Sequence, residues 1–455
     1  MPAEETEESL CRDERPPGAL RAVSDLHDSR GLLERDRKVL WHPYTRHGIE
    51  PDPLPVVRAE GARLHLADGR VLLDAISSWW SCLHGHAHPV LVEALARQAR
   101  ELDHVLFAGA THESAVRFAE ELVEVVPKGL KRVFYSDDGS TAVEVALKMA
   151  YHACALRGEP GRTVFVALEG GYHGDTFGAM SVGDPLPFFE PYSRLLFEVA
   201  RVPPDAERLR ETLDRLGSRA CAFIVEPLVQ GAAGMRMHPA SFLVEARKLC
   251  TERGLFLIAD EVLTGFGRTG ALFACNQAPI TPDFLCLGKA ITSGMLPLAA
   301  TVTTEEVFRA FHGSSGSSAE AASAHFFPHG HTFTANPIAC AVASASLALC
   351  YENDTVVKLR TIGHRIEDGL AALKGDERVL EIRRLGGIVA IELRTKPDDA
   401  GYASSLSLRL RQAALERGVL LRPLGNVLYA MPPACTTPPE STAISEAMLA
   451  LVRSL

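Results

Sequence analysis

Two side chains that could act together stand at the ends of apolar runs in the sequence. Lys289 follows the run DFLCLG, and Asp260 ends the earlier run LFLIAD. Because α/β proteins bind ligands at the carboxyl ends of their strands, both residues are candidates for one site. A lysine can attack a carbonyl carbon, and a buried carboxylate needs a cationic or hydrogen-bonding partner. Taken alone, Lys289 could instead cap a strand at the surface, and Asp260 could cap a helix or pair with Arg268.

Pyridoxal phosphate is the cofactor whose chemistry needs both residue types. A lysine forms the Schiff base, and an aspartate keeps the ring nitrogen protonated so that the ring accepts electrons. The phosphate needs an anion site, which backbone amides of the segment DDGST (137–141) could supply at the start of a helix. Ordinary helix capping explains this segment as well. In GGYHGDT (170–176), Tyr172 could stack on a cofactor ring or belong to the core or surface.

A sheet must position these residues, and six short apolar runs predict one. Between about residues 89 and 349 the runs alternate with helical patterns. Strands that are apolar on both faces, separated by helix-length segments, predict an α/β fold with a mostly parallel sheet between two layers of helices. The runs are RVFYS, TVFVAL, AFIVEP, LFLIADE, DFLCLGK and LAATVTT. Short β-prone runs over residues 56–76, with Asp68-Gly69 as a turn, predict a small antiparallel meander.

Three regions follow from these patterns. Residues 1–30 are rich in charge and proline and predict a flexible N-terminal arm. Residues 77–352 form the large domain that would bind the cofactor, and residues 31–76 with 353–455 form a smaller α+β domain. The insert GSSGSSAEAASAH (313–325) predicts a flexible surface loop.

Composition excludes several functional classes. The 455 residues carry 47 Lys and Arg against 57 Asp and Glu, so the chain lacks the basic surplus that nucleic-acid binding requires. No run approaches the roughly 18 apolar residues of a membrane span. Ten scattered cysteines without a C-x-x-C pair favour reduced, mostly buried thiols, and the acidic N-terminus resembles neither a signal nor a transit peptide. We therefore expect a cytoplasmic protein.

Five motifs together resemble a known family. ADEVLTGFGRTG and LGKAITSG, preceded by DDGSTAVEVALK, GGYHGDTFGAMS and IVEPLVQGAAGM, resemble the class III pyridoxal-phosphate aminotransferases of fold type I. The resemblance runs from about Asp36 to the end of the chain. Three further stretches are similar to the members of this class that act on 8-amino-7-oxononanoate in biotin synthesis. These stretches are WHPYTRHG (41–48), ISSWWSCLHGHAHP (76–89) and LRPLGNVLYAMPP (421–433).

The resemblance implies a role for each matching residue. Lys289 is the Schiff-base lysine and proton shuttle, and Asp260 pairs with the ring nitrogen. Around the cofactor, Tyr172 and Val262 cover the two ring faces, while Gly139, Ser140 and, from the second subunit, Thr332 hold the phosphate. Arg422 clamps a substrate carboxylate, a task that suits the paired donors of a guanidinium. The other substrate-binding candidates are Tyr44 (also a catalytic candidate), Trp79, Trp80, Tyr172, Asp175, Gly330 and Tyr429.

The resemblance also implies an activity and an assembly. We expect a homodimer with active sites at the subunit interface, in which S-adenosylmethionine donates the amino group and 8-amino-7-oxononanoate becomes 7,8-diaminononanoate. Lysine could replace adenosylmethionine as donor. The nearest alternative is another ω-aminotransferase that acts on a diamine or ω-amino acid with a 2-oxo acid. A non-catalytic protein would be expected to lack Lys289 or Asp260, and a dinucleotide-dependent oxidoreductase is disfavoured because no early G-x-G-x-x-G follows a strand.

Several positions depart from the family pattern or admit two interpretations. Asp138 stands where relatives have Ser or Thr, and we expect its side chain to face away from the phosphate. His331 stands where relatives have Pro, which leaves the rigidity of that loop open. The alternating histidines of HGHAHP (84–89) favour structural hydrogen bonds over a metal site, because the segment reads as a loop. Adjacent Trp79 and Trp80 cannot both face one core in a regular strand.

Overall fold

The computed structural model describes residues 31–184, 189–313, 323–396 and 404–455, and these fall into two compact units. The smaller unit contains the chain up to residue 58 together with residues 65–70. The larger unit contains residues 59–64 and 71–455. The expected arm, residues 1–30, and most of the serine-rich insert, residues 314–322, lie outside the described residues.

The predicted meander is confirmed. Its strands are β1 (Val56–Glu60), β2 (Arg63–Leu66) and β3 (Val71–Asp74). The amide of Leu66 donates to the carbonyl of Arg70 at 2.9 Å, and the amide of Asp74 donates to that of Ala62 at 2.8 Å. Between β2 and β3 the turn uses Gly69, whose φ of 87° is the left-handed conformation that the Asp-Gly pair predicts.

A seven-stranded sheet forms the centre of the larger unit. The strands of this region are β4 (Leu130–Ser136), β5 (Val164–Leu168), β6 (Val199–Val202), β7 (Ala220–Val225), β8 (Val229–Gln230), β9 (Arg236–Met237), β10 (Phe256–Asp260), β11 (Phe284–Leu287) and β12 (Ala299–Thr304). The sheet order is β4-β12-β11-β10-β7-β5-β6, while β8 and β9 pair separately. Within this sheet β12 runs in the opposite direction to the other six strands. All six predicted runs are strands, and the sheet is mostly parallel as expected.

Both faces of this sheet are covered, which explains why its strands are continuously apolar. In β10, Leu257 packs on one side with Leu243 of the helix Ala240–Glu252, and the next residue, Ile258, packs on the other side with Val143 of the helix Gly139–Leu156. Successive strand residues point to opposite faces, so each must be apolar when helices lie on both. Burial of one such side chain stabilises the fold by about 1.5–3 kcal/mol.

The C-terminal part is α+β, as its mixed patterns predict. A three-stranded antiparallel sheet contains β13 (Val379–Leu385), β14 (Ile388–Leu393) and β16 (Val427–Ala430), and β15 (Val419–Leu420) pairs in parallel with β3. The α-helices are Leu32–Val39, Pro89–Glu101, Glu113–Val125, Gly139–Leu156, Phe177–Val182, Ala206–Leu216, Ala240–Glu252, Glu305–Ala310, Pro337–Glu352, Thr355–Gly369, Ser405–Glu416 and Pro438–Arg453. Across the described ranges, none of the helices has the length and apolar character needed to cross a membrane.

The candidate catalytic and binding segments lie at one edge of the central sheet. Strands β4, β5, β7, β10 and β11 run in the same direction, so their carboxyl ends lie at one edge. The segment after β4 starts at Asp137, the loop after β5 carries Tyr172, and Glu226 follows β7 directly. Asp260 ends β10, and Lys289 follows β11. This edge is where open α/β sheets bind their ligands.

Candidate active site

The amine of Lys289 is buried at this edge. The residue opens a short 3-10 turn, Lys289–Thr292, with a φ of 43°, and its Nζ lies 5.1 Å from the ring centre of Trp80. Burial lowers the pKa of Lys289, and the carboxylates of Asp260, Glu226 and Asp175 oppose this shift. A lowered pKa favours the neutral amine, which is the form that attacks a carbonyl carbon or accepts a proton.

Asp260 is held by two contacts, one of which the sequence did not predict. Its Oδ1 accepts a hydrogen bond from the amide of Val262 at 3.0 Å, and its Oδ2 lies 2.7 Å from Nδ1 of His173. The alternative pairing of Asp260 with Arg268 is wrong. The guanidinium of Arg268 donates to the carbonyls of Trp80 and Pro432, at 3.2 and 3.1 Å. His173 therefore belongs to the site. It stands next to Tyr172 in the segment GGYHGDT, but the sequence analysis gave it no role.

Glu226 is a second residue that sequence reasoning missed. Its buried carboxylate accepts hydrogen bonds from the amides of Tyr172 at 3.0 Å and Gly231 at 2.9 Å, which joins two loops. Burial raises the pKa of Glu226 to about 7; His173 lowers this pKa and Asp260 raises it. The only available signal was its position after an apolar run, in IVEP.

The 18-residue helix Gly139–Leu156 begins at the segment that was predicted to bind an anion. The carboxylate of Asp138 accepts from the amide of Thr141 at 3.0 Å, so this side chain caps the helix. Within the described part of the chain, the amides of Gly139 and Ser140 donate to no protein acceptor. A Cβ on Gly139 would lie 2.4 Å from Cγ1 of Val262. Two available amides, the helix dipole and a glycine without room for a side chain fit a phosphate.

Tyr172 and Asp175 contact each other across the loop that follows β5. The hydroxyl of Tyr172 donates to Oδ1 of Asp175 at 3.0 Å, and its ring stacks on Phe189 with 6.0 Å between ring centres. The amide of Asp175 donates to Oγ of Ser140 at 3.1 Å, which ties this loop to the anion site.

The two tryptophans face different surroundings. Trp80 is buried, and its Nε1 donates to the hydroxyl of Tyr429 at 2.9 Å. Trp79 is 39% exposed, and the guanidinium carbon of Arg422 lies 4.8 Å from its ring centre. Trp80 also lies beside Lys289. Of the predicted substrate residues, Trp80 thus joins Tyr429 to the amine of Lys289, and Trp79 pairs with Arg422.

Three predicted residues lie in other parts of the chain. Tyr44 belongs to the smaller unit, and Gly330 and Thr332 lie in an exposed segment. In that segment Nδ1 of His331 lies 3.3 Å from Oδ2 of Asp137. The hydroxyl of Thr334 donates to the carbonyl of His331 at 2.8 Å and accepts from its amide at 3.1 Å. These contacts restrain the loop at His331.

The histidines of residues 84–88 make structural contacts. Nε2 of His84 lies 2.9 Å from the carbonyl of Ser346, and Nε2 of His86 lies 2.8 Å from Oδ2 of Asp74. Over the residues that the structure describes, no three His, Cys, Asp or Glu side chains form a group suited to a metal ion. The nine described cysteines are free thiols; eight are buried as expected, and Cys435 is exposed.

Comparison with known proteins agrees with this geometry. The family described as aminotransferase class-III matches residues 44–452. The chain belongs to the class-III aminotransferases. It is 48% identical over 427 residues to an adenosylmethionine-8-amino-7-oxononanoate aminotransferase from Synechococcus elongatus, covering 91% of this chain and 98% of that protein.

Solved structures show the same relationship. The protein of the same name from Methanocaldococcus jannaschii superposes with a TM-score of 0.87 at 35% identity, covering 94% of this chain and 99% of that one. An amine transaminase from an uncultivated Pseudomonas species, solved in its PLP-bound form, gives 0.85 at 31% identity over 91% and 98% of the two chains. The expected fold type, transaminase class and pyridoxal phosphate cofactor are confirmed.

Proposed function

We propose that the protein transfers the amino group of S-adenosylmethionine to 8-amino-7-oxononanoate and forms 7,8-diaminononanoate, a step of biotin synthesis. The observation that carries this proposal is the tryptophan pair, in which Trp80 lies beside Lys289 and Trp79 lies beside Arg422. A guanidinium beside this pair suits a substrate that carries a carboxylate. The names of relatives with 48% and 39% identity support the same reaction.

The residues around Lys289 supply acid–base chemistry. Pyridoxal phosphate, when bound, supplies the carbonyl that takes up the amino group and a ring that accepts electrons. Nζ of Lys289 is the buried base that moves the proton at the reacting carbon, because burial favours its neutral form. Asp260 pairs with the ring nitrogen, and His173 orients Asp260 through the 2.7 Å contact.

The remaining cofactor residues position the ring and the phosphate. The amides of Gly139 and Ser140 bind the phosphate, and Val262 and Tyr172 cover the two faces of the ring. The close packing of Val262 on Gly139 and the fixing of Tyr172 by Glu226 support these positions.

One pocket must bind two unlike substrates in turn. Tyr44, Trp79, Trp80, Tyr172, Asp175, Gly330 and Tyr429 form its wall in this proposal, and Arg422 binds the carboxylate of the keto substrate. Aromatic rings with polar edges suit this task because they offer both apolar surface and hydrogen-bonding groups. Tyr44 also contributes to catalysis.

The proposed assembly is a cytoplasmic homodimer in which the second subunit completes each site. Thr332 is exposed within its own subunit, which leaves its hydroxyl accessible to the phosphate of another copy. Symmetric dimers are the commonest assemblies of such proteins. The free thiols of the described cysteines support a reducing compartment.

A donor panel tests the proposed reaction. Purified protein loaded with pyridoxal phosphate receives 8-amino-7-oxononanoate and one donor at a time, namely S-adenosylmethionine, lysine, a diamine or an ω-amino acid. Mass spectrometry then measures 7,8-diaminononanoate. We expect product chiefly with adenosylmethionine. If lysine is the only donor that gives product, lysine replaces adenosylmethionine as the proposed donor. Amino transfer from a diamine to 2-oxoglutarate, without action on the keto substrate, would favour the ω-aminotransferase alternative.

A further inference from the structure

The segment that carries the tryptophan pair has an unusual backbone. Four consecutive residues, Ser77, Ser78, Trp79 and Trp80, have φ values of 50°, 44°, 77° and 77°. Residues with a Cβ rarely adopt this left-handed conformation, and runs of them are rarer still. Such a conformation persists only where the surroundings enforce it, and it is found mainly at functional sites.

A single buried carboxylate holds the first half of this left-handed turn. The carboxylate of Asp74 accepts hydrogen bonds from the amides of Ile76 at 3.2 Å and Ser78 at 3.0 Å, and from the hydroxyl of Ser78 at 2.8 Å. Nε2 of His86 lies 2.8 Å from the same carboxylate, and Nδ1 of His86 lies 3.6 Å from the sulfur of Cys82. His86 therefore fixes Asp74, and Asp74 fixes the turn.

Both ends of the turn are also tied to the chain that follows β16. The hydroxyl of Ser77 donates to the carbonyl of Met431 at 2.8 Å. Arg268 donates to the carbonyls of both Trp80 and Pro432. The turn is therefore bound on both sides and cannot relax to an extended conformation without breaking several buried hydrogen bonds.

This conformation decides where the two indole rings lie. In a strand, adjacent side chains would point to opposite faces of a sheet. In the left-handed turn, Trp79 lies against Arg422, and Trp80 lies against both Tyr429 and Lys289. The turn thus gives each ring a partner among the candidate site residues, Arg422 for Trp79 and Lys289 for Trp80.

We propose that Asp74 and His86 are positioning residues that hold Trp79 and Trp80 in the geometry required by the keto substrate. The proposal deepens the proposed function and rests on it for the identity of that substrate. Neither side chain contacts the reacting atoms; both act through the turn.

The test compares His86→Ala and Asp74→Asn with the wild-type enzyme. Each variant is expected to raise KM for 8-amino-7-oxononanoate about tenfold, the loss typical of a hydrogen bond to a charged group, and to change kcat much less. His86→Gln keeps a donor toward Asp74 and should restore most of the lost affinity. Because Asp74→Asn could fail to fold, Ser78→Ala serves as the second variant of that contact and should shift KM in the same direction.

The matched control is His84→Ala, which removes a buried histidine two residues away. Its ring contacts the carbonyl of Ser346, and no described contact joins it to Asp74. His84→Ala should lower thermal stability without raising KM for the keto substrate. An equal rise in KM in this control would show that loss of packing alone perturbs the wall, and it would overturn the proposal.

A second readout does not depend on turnover. The chain has three tryptophans, so in a Trp41→Phe background the tryptophan bands in the near-ultraviolet circular dichroism of cofactor-free protein come from the pair alone. His86→Ala and Ser78→Ala should weaken this signal, and His84→Ala should preserve it. Unchanged spectra in folded variants would refute the positioning role. If the wild-type enzyme does not use the keto substrate, the proposed function fails while this spectroscopic test still decides the geometry.

Discussion

The central residue pair, Lys289 and Asp260, could be predicted from sequence, whereas its supporting residues could not. Both members of the pair end apolar runs, and the topology of a parallel sheet brings such ends together. His173 contacts Asp260 across 87 positions of the chain, and no pattern in the sequence reports that contact. The left-handed turn at Ser77–Trp80 was equally hidden, because it contains no glycine to signal positive φ.

Replacement of Lys289 tests the chemistry of the site. We expect Lys289→Ala to lower turnover by at least about 10³-fold, since loss of a positioned acid–base group commonly has an effect of this size. The protein should still fold and retain cofactor through its phosphate site. Lys248→Ala removes an exposed lysine that pairs with Glu245, and it is the control. Steady-state rates and the cofactor content of each variant give the result; substantial residual transamination would remove Lys289 from the mechanism.

Arg422 is expected to act on one substrate only. Arg422→Ala should raise KM for the keto substrate by about tenfold or more, because a carboxylate loses its charged partner. The half-reaction with the amino donor should change little. Arg417→Ala, which removes an exposed arginine on the helix end nearby in sequence, controls for lost charge. An equal effect on both half-reactions would indicate that Arg422 supports the structure through its packing on Trp79.

At the scale of elements, the predicted strands were confirmed where they are buried on both faces. Strand β6 was missed because VARV is a short, only partly buried edge strand without a continuous apolar run. The sequence pattern predicts that the helix after β4 starts near Ala142, whereas the helix begins three residues earlier, at Gly139. Its cap is the carboxylate of Asp138, and this capping contact explains how a second acidic residue is accommodated beside an anion site.

Gly139→Ala should affect both folding and cofactor binding, because the added Cβ would displace Val262. Alanine favours a helix over glycine by roughly 0.5–1 kcal/mol, so Gly139→Ala should not destabilise the cofactor-free protein through propensity. Its Cβ would however lie 2.4 Å from Val262, so pyridoxal phosphate should bind about tenfold more weakly. Gly161→Ala places a Cβ in open space and is the control. Titration of cofactor-free protein measures both affinities, and equal affinities would contradict the proposed phosphate site.

At the scale of the whole molecule, the sequence analysis predicts a division into domains and a dimeric assembly. The division into domains 31–76 with 353–455 and 77–352 stays a prediction, as does the homodimer. Tyr44, Gly330 and Thr332 are the residues whose proposed roles depend most on this larger scale. Their positions in sequence matched family motifs, but motifs carry no information on which copy of the chain completes a site.

Complementation between two inactive variants tests the shared site. Lys289→Ala removes the amine, and Thr332→Glu places a negative charge where the phosphate of the second subunit would lie. A mixed dimer has one doubly altered site and one intact site, so coexpression should restore about a quarter of wild-type activity if pairing is random. Each variant alone provides the baseline. No recovery in a purified mixed dimer would show that Thr332 serves its own subunit.

A two-step titration of the protein with bound pyridoxal phosphate tests the proposed reaction most directly. The visible absorption band of the cofactor is followed while S-adenosylmethionine is added, without any keto substrate, and then 8-amino-7-oxononanoate is added. The proposed reaction predicts that the donor removes the band and that the keto substrate restores it, with one equivalent of 7,8-diaminononanoate per site. A band that adenosylmethionine leaves unchanged, but that another amine removes, would contradict the proposed donor.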